Sequence, residues 1–377
     1  MKRTTVRKRK NWDKKFEELG FSFHSIDGVY WNEGICYQFS SDEIDHIEEV
    51  TAELNHICMN AVEYVIEKNL FSKLMIDERF AKLVKKSWGR EDISIYGRFD
   101  FSYNGADEPK LLEYNADTPT SLVESSIAQW VWLEDTFPHY DQFNSIHEKL
   151  IESFKYIAKN IPENTPFYFS SVNKHQEDFV TVEYIRDTAI QAGLDGRHIS
   201  IEDIGFSNET GCFYHLSNNL IEFIFKLYPW EWLINDEFGN YILNETAHFF
   251  EPPWKMVLSN KGILPILWEM YPNHPNLLPS YFEEGKINGR YIRKPLFSRE
   301  GANISFVDGY KSISTEGTYG SEGYIYQQPK ELPCFEGNYA LVGSWVVNGE
   351  PAGIGIREDD SVITKNTSKF VPHFFKP

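Results

Sequence analysis

The fold prediction starts from one stretch, SIYGRFDFSYNGADEPKLLEYNA (residues 94–116), which has the pattern of a β-hairpin. Polar and apolar residues alternate on both sides of SYNGADEPK, a segment rich in turn-forming residues. Side chains two positions apart on a strand share one face. Arg98 and Asp100 therefore share a face of the first strand, and Glu113 and Asn115 share a face of the second. If the hairpin brings these faces together, one cation, two carboxylates and one amide lie side by side.

This polar face is a candidate magnesium site. Mg²⁺ prefers hard oxygen ligands, usually a few carboxylates together with phosphate oxygens and water. Asp100, Glu113 and Asn115 are therefore candidate metal ligands, and Arg98 could hold negative charge that develops on a substrate. A solvated polar face on a half-buried hairpin has the same pattern, so the pattern alone leaves that alternative open.

A candidate phosphate-binding loop follows a predicted strand that ends at Lys294. The loop, residues 298–303, contains Ser298, Arg299 and Gly301. Lysine and arginine neutralise phosphates, and backbone N–H groups in such a loop can surround them. Neither a P-loop signature nor a dinucleotide-binding glycine motif is present. An ordinary surface hairpin with basic residues is the alternative.

Two later segments carry weaker signals. The strand YIYQQP, residues 324–329, could bind the edge of an adenine through its backbone, with Gln328 adding side-chain specificity. A polar strand end is the alternative there. Arg357 lies beyond the Asn348-Gly349 dipeptide, which is typical of a tight hairpin turn. This arginine could reach a phosphoryl group, although a surface position is the alternative.

The rest of the pattern predicts an α/β (α+β) architecture. Residues 42–68 carry apolar side chains at spacings of three and four, which indicates an amphipathic helix. A helix is also expected directly after the hairpin, capped by Asp117 or Thr118. Residues 165–205 have a strand–helix–strand pattern. The chain from residue 290 onward has the pattern of short antiparallel strands.

Composition excludes several classes of function. A length of 377 residues allows two or three domains, and a formal net charge of -19 argues against general nucleic-acid binding. The basic start, MKRTTVRKRK, is expected to be a frayed and solvated terminus. No run approaches the roughly 18 apolar residues of a membrane span, and the four cysteines form no CxxC pair. We expect a cytoplasmic protein without nucleic-acid or membrane partners; its oligomeric state stays open.

Five segments resemble, in order and spacing, the synthetase domain of the glutathionylspermidine synthase family, which is of the ATP-grasp class. They are YGRFDF, LLEYNADTPTSL, WKMVLSNKGILPILWEMYPNHPNLL, YIRKPLFSREGANI and GIREDDSVITKNTSKFVPH. The resemblance covers most of the chain. It implies an ATP-grasp-like fold with a preceding α/β (pre-ATP-grasp) domain. The expected division is an N-terminal helical region (1–90), an α/β domain with the hairpin (91–250) and a nucleotide-binding region (251–377), the last two interleaved.

The resemblance also implies roles for single residues. Asp100, Glu113 and Asn115 match positions that hold magnesium, and Arg98 matches the arginine beside the reacting acyl group. Two lysines, a lid-loop arginine and a late arginine match groups that contact ATP phosphates. Together with the loop and the strand described above, the predicted ATP-binding set is Lys261, Lys294, Ser298, Arg299, Gly301, Gln328 and Arg357.

Two of the implied roles leave alternatives. Lys255 lies close to Lys261 in sequence and competes with it for the first phosphate-binding position. Glu177 and Asp178 fall where the family places acidic residues near a polyamine, so they are predicted to bind substrate. A capping pair at a helix start is the alternative for these two residues.

The implied activity is that of an ATP-dependent ligase with ATP and Mg²⁺ as cofactors. Such an enzyme joins a peptide- or glutathione-like carboxylate to a polyamine-like amine through an acyl phosphate, and it releases ADP and phosphate. Arg98, Arg299 and Arg357 are the expected catalytic residues. A kinase or a non-catalytic nucleotide-binding protein on the same scaffold is the alternative. Bifunctional family members carry a preceding amidase domain, and amidase activity is not expected here. The sequence does not identify the acid or the amine.

Overall fold

The computed structural model describes residues 1–25, 28–173, 175–309, 311–362, 364 and 368–376. In that part of the chain the helices are α1 (Trp12–Glu18), α2 (Ser41–Lys68), α3 (Glu78–Gly89), α4 (Gln129–Thr136), α5 (Ile146–Ala158), α6 (Gln176–Gln191), α7 (Trp230–Leu233) and α8 (Ile263–Met270). Residues 363 and 365–367, inside the last of the quoted segments, lie outside the described residues.

The strands are numbered in the same way along the chain. They are β1 (Lys2–Thr5), β2 (Ile35–Ser40), β3 (Tyr96–Ser102), β4 (Lys110–Asn115), β5 (Pro166–Ser171), β6 (Asp195–Ser200), β7 (Ile204–Ser207), β8 (Cys212–His215), β9 (Phe223–Leu227), β10 (His248–Phe250), β11 (Ser280–Tyr281), β12 (Tyr291–Pro295), β13 (Ser305–Asp308), β14 (Lys311–Ser314), β15 (Tyr324–Gln327), β16 (Cys334–Phe335), β17 (Asn338–Val347), β18 (Glu350–Asp359), β19 (Lys369–Val371) and β20 (His373–Lys376).

The predicted hairpin forms one edge of an antiparallel sheet with the order β19-β18-β17-β3-β4, and β16 pairs with β17. Its two strands are β3 and β4, as expected. The late strand β17 runs beside β3, so the beginning and the end of the chain meet in one sheet. Asn348 and Gly349 join β17 to β18 with positive φ angles at both residues, which confirms the predicted Asn-Gly turn.

A parallel sheet with the order β10-β9-β5-β6 lies between these chain segments. The chain passes from β5 through α6 to β6 on one side, and β9 then pairs with β5 on the other side. Strand order therefore reverses between β5 and β9. In open α/β sheets, ligands bind at such a switch point, outside the carboxyl ends of the strands. The predicted α/β pattern is confirmed.

A second antiparallel sheet carries the predicted phosphate-binding lysine. Its order is β11-β15-β12-β13-β14, and Lys294 lies near the end of β12. The long helix α2 was predicted at residues 42–68 and observed at Ser41–Lys68, and it buries its apolar stripe in the core. No helix in the described residues is long and apolar enough to cross a membrane. The division of the chain near residues 90 and 250 stays a prediction.

The prediction of a frayed N-terminus was wrong. Strand β1 pairs with β2, which in turn pairs with β20. Arg3 Nε donates a hydrogen bond to Glu358 Oε1 at 2.6 Å, and Arg9 Nε donates to Glu33 Oε1 at 2.7 Å. Both carboxylates are buried. The basic residues are therefore ordered because they neutralise buried acidic groups elsewhere in the chain.

The predicted cap after the hairpin was also wrong. The chain turns helical only after Ser121, with a π-helical turn at Glu124–Ala128 before α4. Asp117 instead accepts hydrogen bonds from Lys226 Nζ at 2.7 Å and from the Trp230 backbone N–H at 2.9 Å. Asp117 therefore makes tertiary hydrogen bonds instead of capping the helix that the local pattern predicts.

Candidate active site

One cleft collects most of the predicted site residues. It lies beside the carboxyl ends of β5 and β9, where Val172 and Leu227 are in its wall. The hairpin β3–β4 forms another wall and the lysine strand β12 a third. The predicted residues that line the cleft are Arg98, Asp100, Glu113, Asn115, Asp178, Lys294, Arg299, Gly301, Gln328 and Arg357.

The hairpin register brings its four polar side chains together as predicted. Arg98 is directly opposite Asn115, and Asp100 is directly opposite Glu113. Arg98 makes a two-point contact with Asp100, with Nε–Oδ1 at 2.7 Å and Nη2–Oδ2 at 3.0 Å. Its Nη1 donates to the Thr120 carbonyl oxygen at 2.6 Å. These bonds fix the guanidinium while leaving two of its five N–H groups for another acceptor.

A lysine from outside the hairpin neutralises its second carboxylate. Lys261 Nζ lies 2.9 Å from Glu113 Oε2. Burial raises the pKa of the Glu113 carboxyl, but the positive charges of Lys261 and Lys294 outweigh it and lower this pKa to about 2. Glu113 is therefore ionised throughout the neutral range.

Lys294 faces the same carboxylate from β12. Its Nζ donates to the Leu112 carbonyl oxygen at 2.8 Å, and the side chain is buried. Burial lowers the pKa of Lys294 to about 8, while the Glu113 charge acts in the opposite direction. The early hairpin and the late sheet thus meet at one small group of opposite charges.

The structure separates the two competing lysines. Lys255 is buried, and its Nζ donates to the carbonyl oxygens of Tyr96 at 3.2 Å and Ala116 at 3.0 Å. It also lies 3.6 Å from Glu251 Oε2. Since Lys255 supports the ends of the hairpin strands while Lys261 contacts Glu113, the geometry favours Lys261 as the site residue.

Hydrogen bonds from Ser298 and Arg299 hold the predicted phosphate loop in place. The Ser298 hydroxyl donates to the Ala302 carbonyl oxygen at 2.6 Å, and the Ser298 carbonyl accepts from Lys261 Nζ at 2.6 Å. Arg299 donates through Nε and Nη2 to Glu231 Oε1 at 2.8 and 2.6 Å. Its Nη1 donates to Thr118 Oγ1 at 2.6 Å. Ser298 itself is buried behind the cleft wall.

Some of the remaining predicted residues line the cleft and others do not. Arg357 lies on β18 opposite Leu341, and both line the cleft. Asp178 lines it from the first turn of α6. Burial raises the pKa of the Asp178 carboxyl to about 6; His175 opposes this rise and Glu177 adds to it. Glu177, Lys261 and Ser298 are not among the lining residues that the described chain provides.

Sequence reasoning missed several residues that position the site. Glu231 holds Arg299, and Thr118 contacts the same side chain. Gln327 lines the cleft next to the predicted Gln328. Thr118 follows the hairpin by three positions in the sequence, and this proximity to Asn115 could have marked it as a site residue. Glu231 carried no local signal, because its contact with Arg299 joins two distant segments.

The donor set fits a magnesium ion better than a transition metal. No group of three or more histidine, cysteine, aspartate or glutamate side chains in the described residues is arranged to hold a metal. The hairpin supplies two carboxylates and an amide, and Asn115 Nδ2 lies 3.1 Å from Asp100 Oδ2. Mg²⁺ needs no more than this when phosphate oxygens and water complete its shell.

The fold of this chain has a counterpart among solved structures. A glutathione synthetase-like effector from Globodera pallida has the same fold, with a TM-score of 0.58 over 97% of this chain and 96% of that chain at 10% identity. The chain belongs to the family described as glutathionylspermidine synthase preATP-grasp, whose model matches residues 3–376. The predicted family and fold class are confirmed.

Several similar proteins carry the names of ligases or synthetases. A Haemophilus influenzae protein named "Putative acid--amine ligase" is 42% identical over 95% of both chains. Trypanothione synthetase of Crithidia fasciculata is 29% identical over 94% of this chain and 57% of its own length. The bifunctional glutathionylspermidine synthetase/amidase of Escherichia coli is 24% identical over 89% of this chain and 58% of its own length. The predicted enzyme class, an acid–amine ligase, is confirmed at the level of this family.

Proposed function

We propose that this protein is an ATP-dependent ligase that joins a peptide-like carboxylate to a polyamine-like amine through an acyl phosphate. The observation that carries the proposal is the shared cleft, in which Asp100 and Glu113 from the early hairpin face Lys294 on β12 and Arg299 in the loop that follows it. A triphosphate with its metal needs this combination of acidic and basic groups. The names of the relatives support the same reaction class.

The hairpin residues Asp100, Glu113 and Asn115 would hold Mg²⁺. When bound, that ion neutralises phosphate oxygens. Lys294, Arg299 and Arg357 would hold the remaining phosphate charge, and Lys261 would act through its contact with Glu113. Ser298 and Gly301 shape the loop that carries Arg299. Gln328 would contact the nucleotide from the rim of the cleft.

The reaction would proceed in two displacements. A carboxylate oxygen of the acid bonds to the γ-phosphorus while the bond to ADP breaks. The amine nitrogen then bonds to the carbonyl carbon, the carbon–oxygen bond to phosphate breaks, and the nitrogen loses a proton. Arg98 would stabilise the oxyanion of the second step with its two remaining N–H groups, and one such contact is worth about 3–4 kcal/mol.

The acidic pair at the start of α6 would bind the amine. Asp178 faces the cleft, and Glu177 adds negative charge beside it. A cationic amine gains most from a carboxylate that is partly removed from water, because the local dielectric constant is lower there. The proton of the attacking nitrogen could pass to the same carboxylate.

The raised pKa of Asp178 leads to a pH prediction. Above about pH 6 this carboxyl is charged, and below it the charge is lost. The KM for a cationic amine is therefore expected to rise about tenfold between about pH 7 and about pH 5, because the charged fraction falls by that factor. Asp178→Asn should have a high KM with no inflection near pH 6. A wild-type profile that is flat over this interval would remove Asp178 from the amine site.

A stoichiometry experiment tests the proposed function. Purified protein is screened with ATP, Mg²⁺ and pairs of peptides or amino acids with amines, and ADP, free phosphate and consumed amine are measured together. For a ligase, the amounts of ADP formed, phosphate released and amine consumed are equal. A kinase yields ADP without equivalent phosphate, since the phosphoryl group stays on the product. ADP formation that is independent of any amine and unchanged in Asp100→Ala would contradict the proposal.

A further inference from the structure

A second cavity lies behind the hairpin β3–β4, on the side away from the candidate active site. Tyr114 comes between Glu113 and Asn115 on β4, so its side chain points to the opposite face of the strand. Glu113 and Asn115 line the cleft, whereas Tyr114 lines the second cavity. A Cβ atom at Gly97 would lie 2.7 Å from Tyr114 Oη, so glycine is needed there to leave room for this ring. The hairpin therefore separates the two cavities.

Aromatic side chains from four segments of the chain line this cavity. We call it the rear pocket and define it by Trp88, Glu91, Tyr114, Tyr156 and Trp254. Its volume is about 610 Å³, within the range of small-molecule sites. The rings of Trp88 and Trp254 meet edge to face, with centroids 5.4 Å apart. Because the face of an aromatic ring attracts positive charge, such a wall favours a cationic ligand.

The buried lysine of the same cavity is fully committed to protein groups. Lys255 is 1% exposed, and its Nζ donates to the carbonyl oxygens of Tyr96 at 3.2 Å and Ala116 at 3.0 Å. One N–H group remains, and the Glu251 carboxylate lies 3.6 Å from Nζ. Glu251 thus balances the charge of Lys255, and the lysine has no donor to offer to an anionic ligand.

A carboxylate adds negative charge at the mouth of the rear pocket. Glu91 is exposed and directly follows the residue that ends α3. The neighbouring Arg90 does not neutralise it, because Arg90 pairs with Asp92 and Glu245 instead. Tyr156 is the most exposed ring of the pocket, at 56%. A cation at the mouth would therefore meet an aromatic ring and a carboxylate together.

We propose that the rear pocket binds a small alkylated ammonium ion, with its charged group near Glu91 and Tyr156. Aromatic sites commonly recognise quaternary ammonium ions, whose alkyl groups pack against the rings. Repulsion from Lys255 disfavours a second cation at the base of the pocket and keeps it at the mouth. This binding is independent of the ligase reaction, which would use the other face of the hairpin.

Two probes of the same shape test the requirement for charge. Choline is compared with 3,3-dimethylbutanol, in which carbon replaces the ammonium nitrogen, and dissociation constants for the full chain are measured by ligand-observed NMR. The wild-type protein is expected to bind choline about tenfold more tightly, the combined effect of exposed ring contacts and a nearby carboxylate. Equal affinities for the two probes, or no binding of choline, would overturn the inference.

Substitutions at the mouth locate the bound cation. Tyr156→Leu should weaken choline binding about two- to fivefold, the range for one exposed contact between a cation and a ring. Glu91→Gln should weaken choline binding but not the binding of the neutral alcohol. Both residues are exposed, so both variants should fold. Trp130→Leu is the matched control, because Trp130 is 39% exposed on α4 and does not line the rear pocket that the described residues form.

The candidate active site is also acidic, so a further variant distinguishes the two cavities. Asp178→Asn removes a carboxylate that lines the cleft. Choline affinity that is unchanged in Asp178→Asn and reduced in the mouth variants supports the rear pocket. Affinity that is lost in Asp178→Asn and unchanged in Tyr156→Leu and Glu91→Gln would overturn the inference, while the ligase proposal would stand.

Discussion

Glu113→Gln is expected to lower the rate of amide formation by about a hundred- to a thousandfold while leaving the fold intact. The substitution keeps the shape of the side chain but removes a negative charge that two lysines hold in place. Losing one preorganised charge contact at a reacting phosphoryl or acyl group costs about 3–4 kcal/mol. The fold should survive, because the Glu113 side chain is about a quarter exposed, at 26%.

The metal dependence separates this effect from simple misfolding. If Glu113 holds Mg²⁺, the variant should need much more of the ion for half-maximal rate, and saturating Mg²⁺ should restore part of the activity. Glu163→Gln is the matched control, since Glu163 is exposed in a loop before β5, and it should behave as wild type. An unchanged Mg²⁺ requirement in Glu113→Gln would remove Glu113 from the proposed metal site.

The polar face of the hairpin could be predicted because its pattern is local. Alternation along 94–116 fixes which side chains share a face, and the turn fixes which strands pair. Arg98, Asp100, Glu113 and Asn115 therefore converge as the sequence indicates. The neighbouring strand β17 was harder to place, because pairing across more than two hundred residues leaves no periodic signal.

Other parts of the site depend on contacts that no local pattern encodes. Arg299 was predicted to face phosphate, and it does line the cleft, but its hydrogen bonds to Glu231 join segments 68 positions apart. Asp117 has the residue type and position of a helix cap, yet Lys226 and the Trp230 N–H occupy its oxygens. Burial strengthens such pairs, so tertiary contacts can override weak local preferences.

Lys226→Met is expected to lower the free energy of unfolding by about 3–5 kcal/mol, the usual cost of removing one partner from a buried ion pair. Both side chains of the Lys226–Asp117 pair are fully buried, at 0% exposure each. Lys226 lies near the end of β9, and Asp117 follows directly after the hairpin. The pair therefore ties the parallel sheet to the hairpin sheet beside the cleft. Urea unfolding measures the change, with the exposed Lys15→Met as the control, expected to cost at most about 1 kcal/mol.

A double-mutant cycle separates the cost of an unpaired charge from the value of the pair. In Lys226→Met alone, the Asp117 carboxylate stays buried, and among the described residues it keeps the hydrogen bond from the Trp230 N–H. Adding Asp117→Leu removes that charge, so the double variant should be more stable than Lys226→Met, although the Trp230 N–H then lacks an acceptor, at about 1–3 kcal/mol. Additive losses would mean that the two residues act independently. Rescue of stability without rescue of the amide-forming rate would show that the ion pair orients the polar side chains of the hairpin, because an apolar pair can fill the space but cannot fix the direction in which Asn115 and Glu113 project.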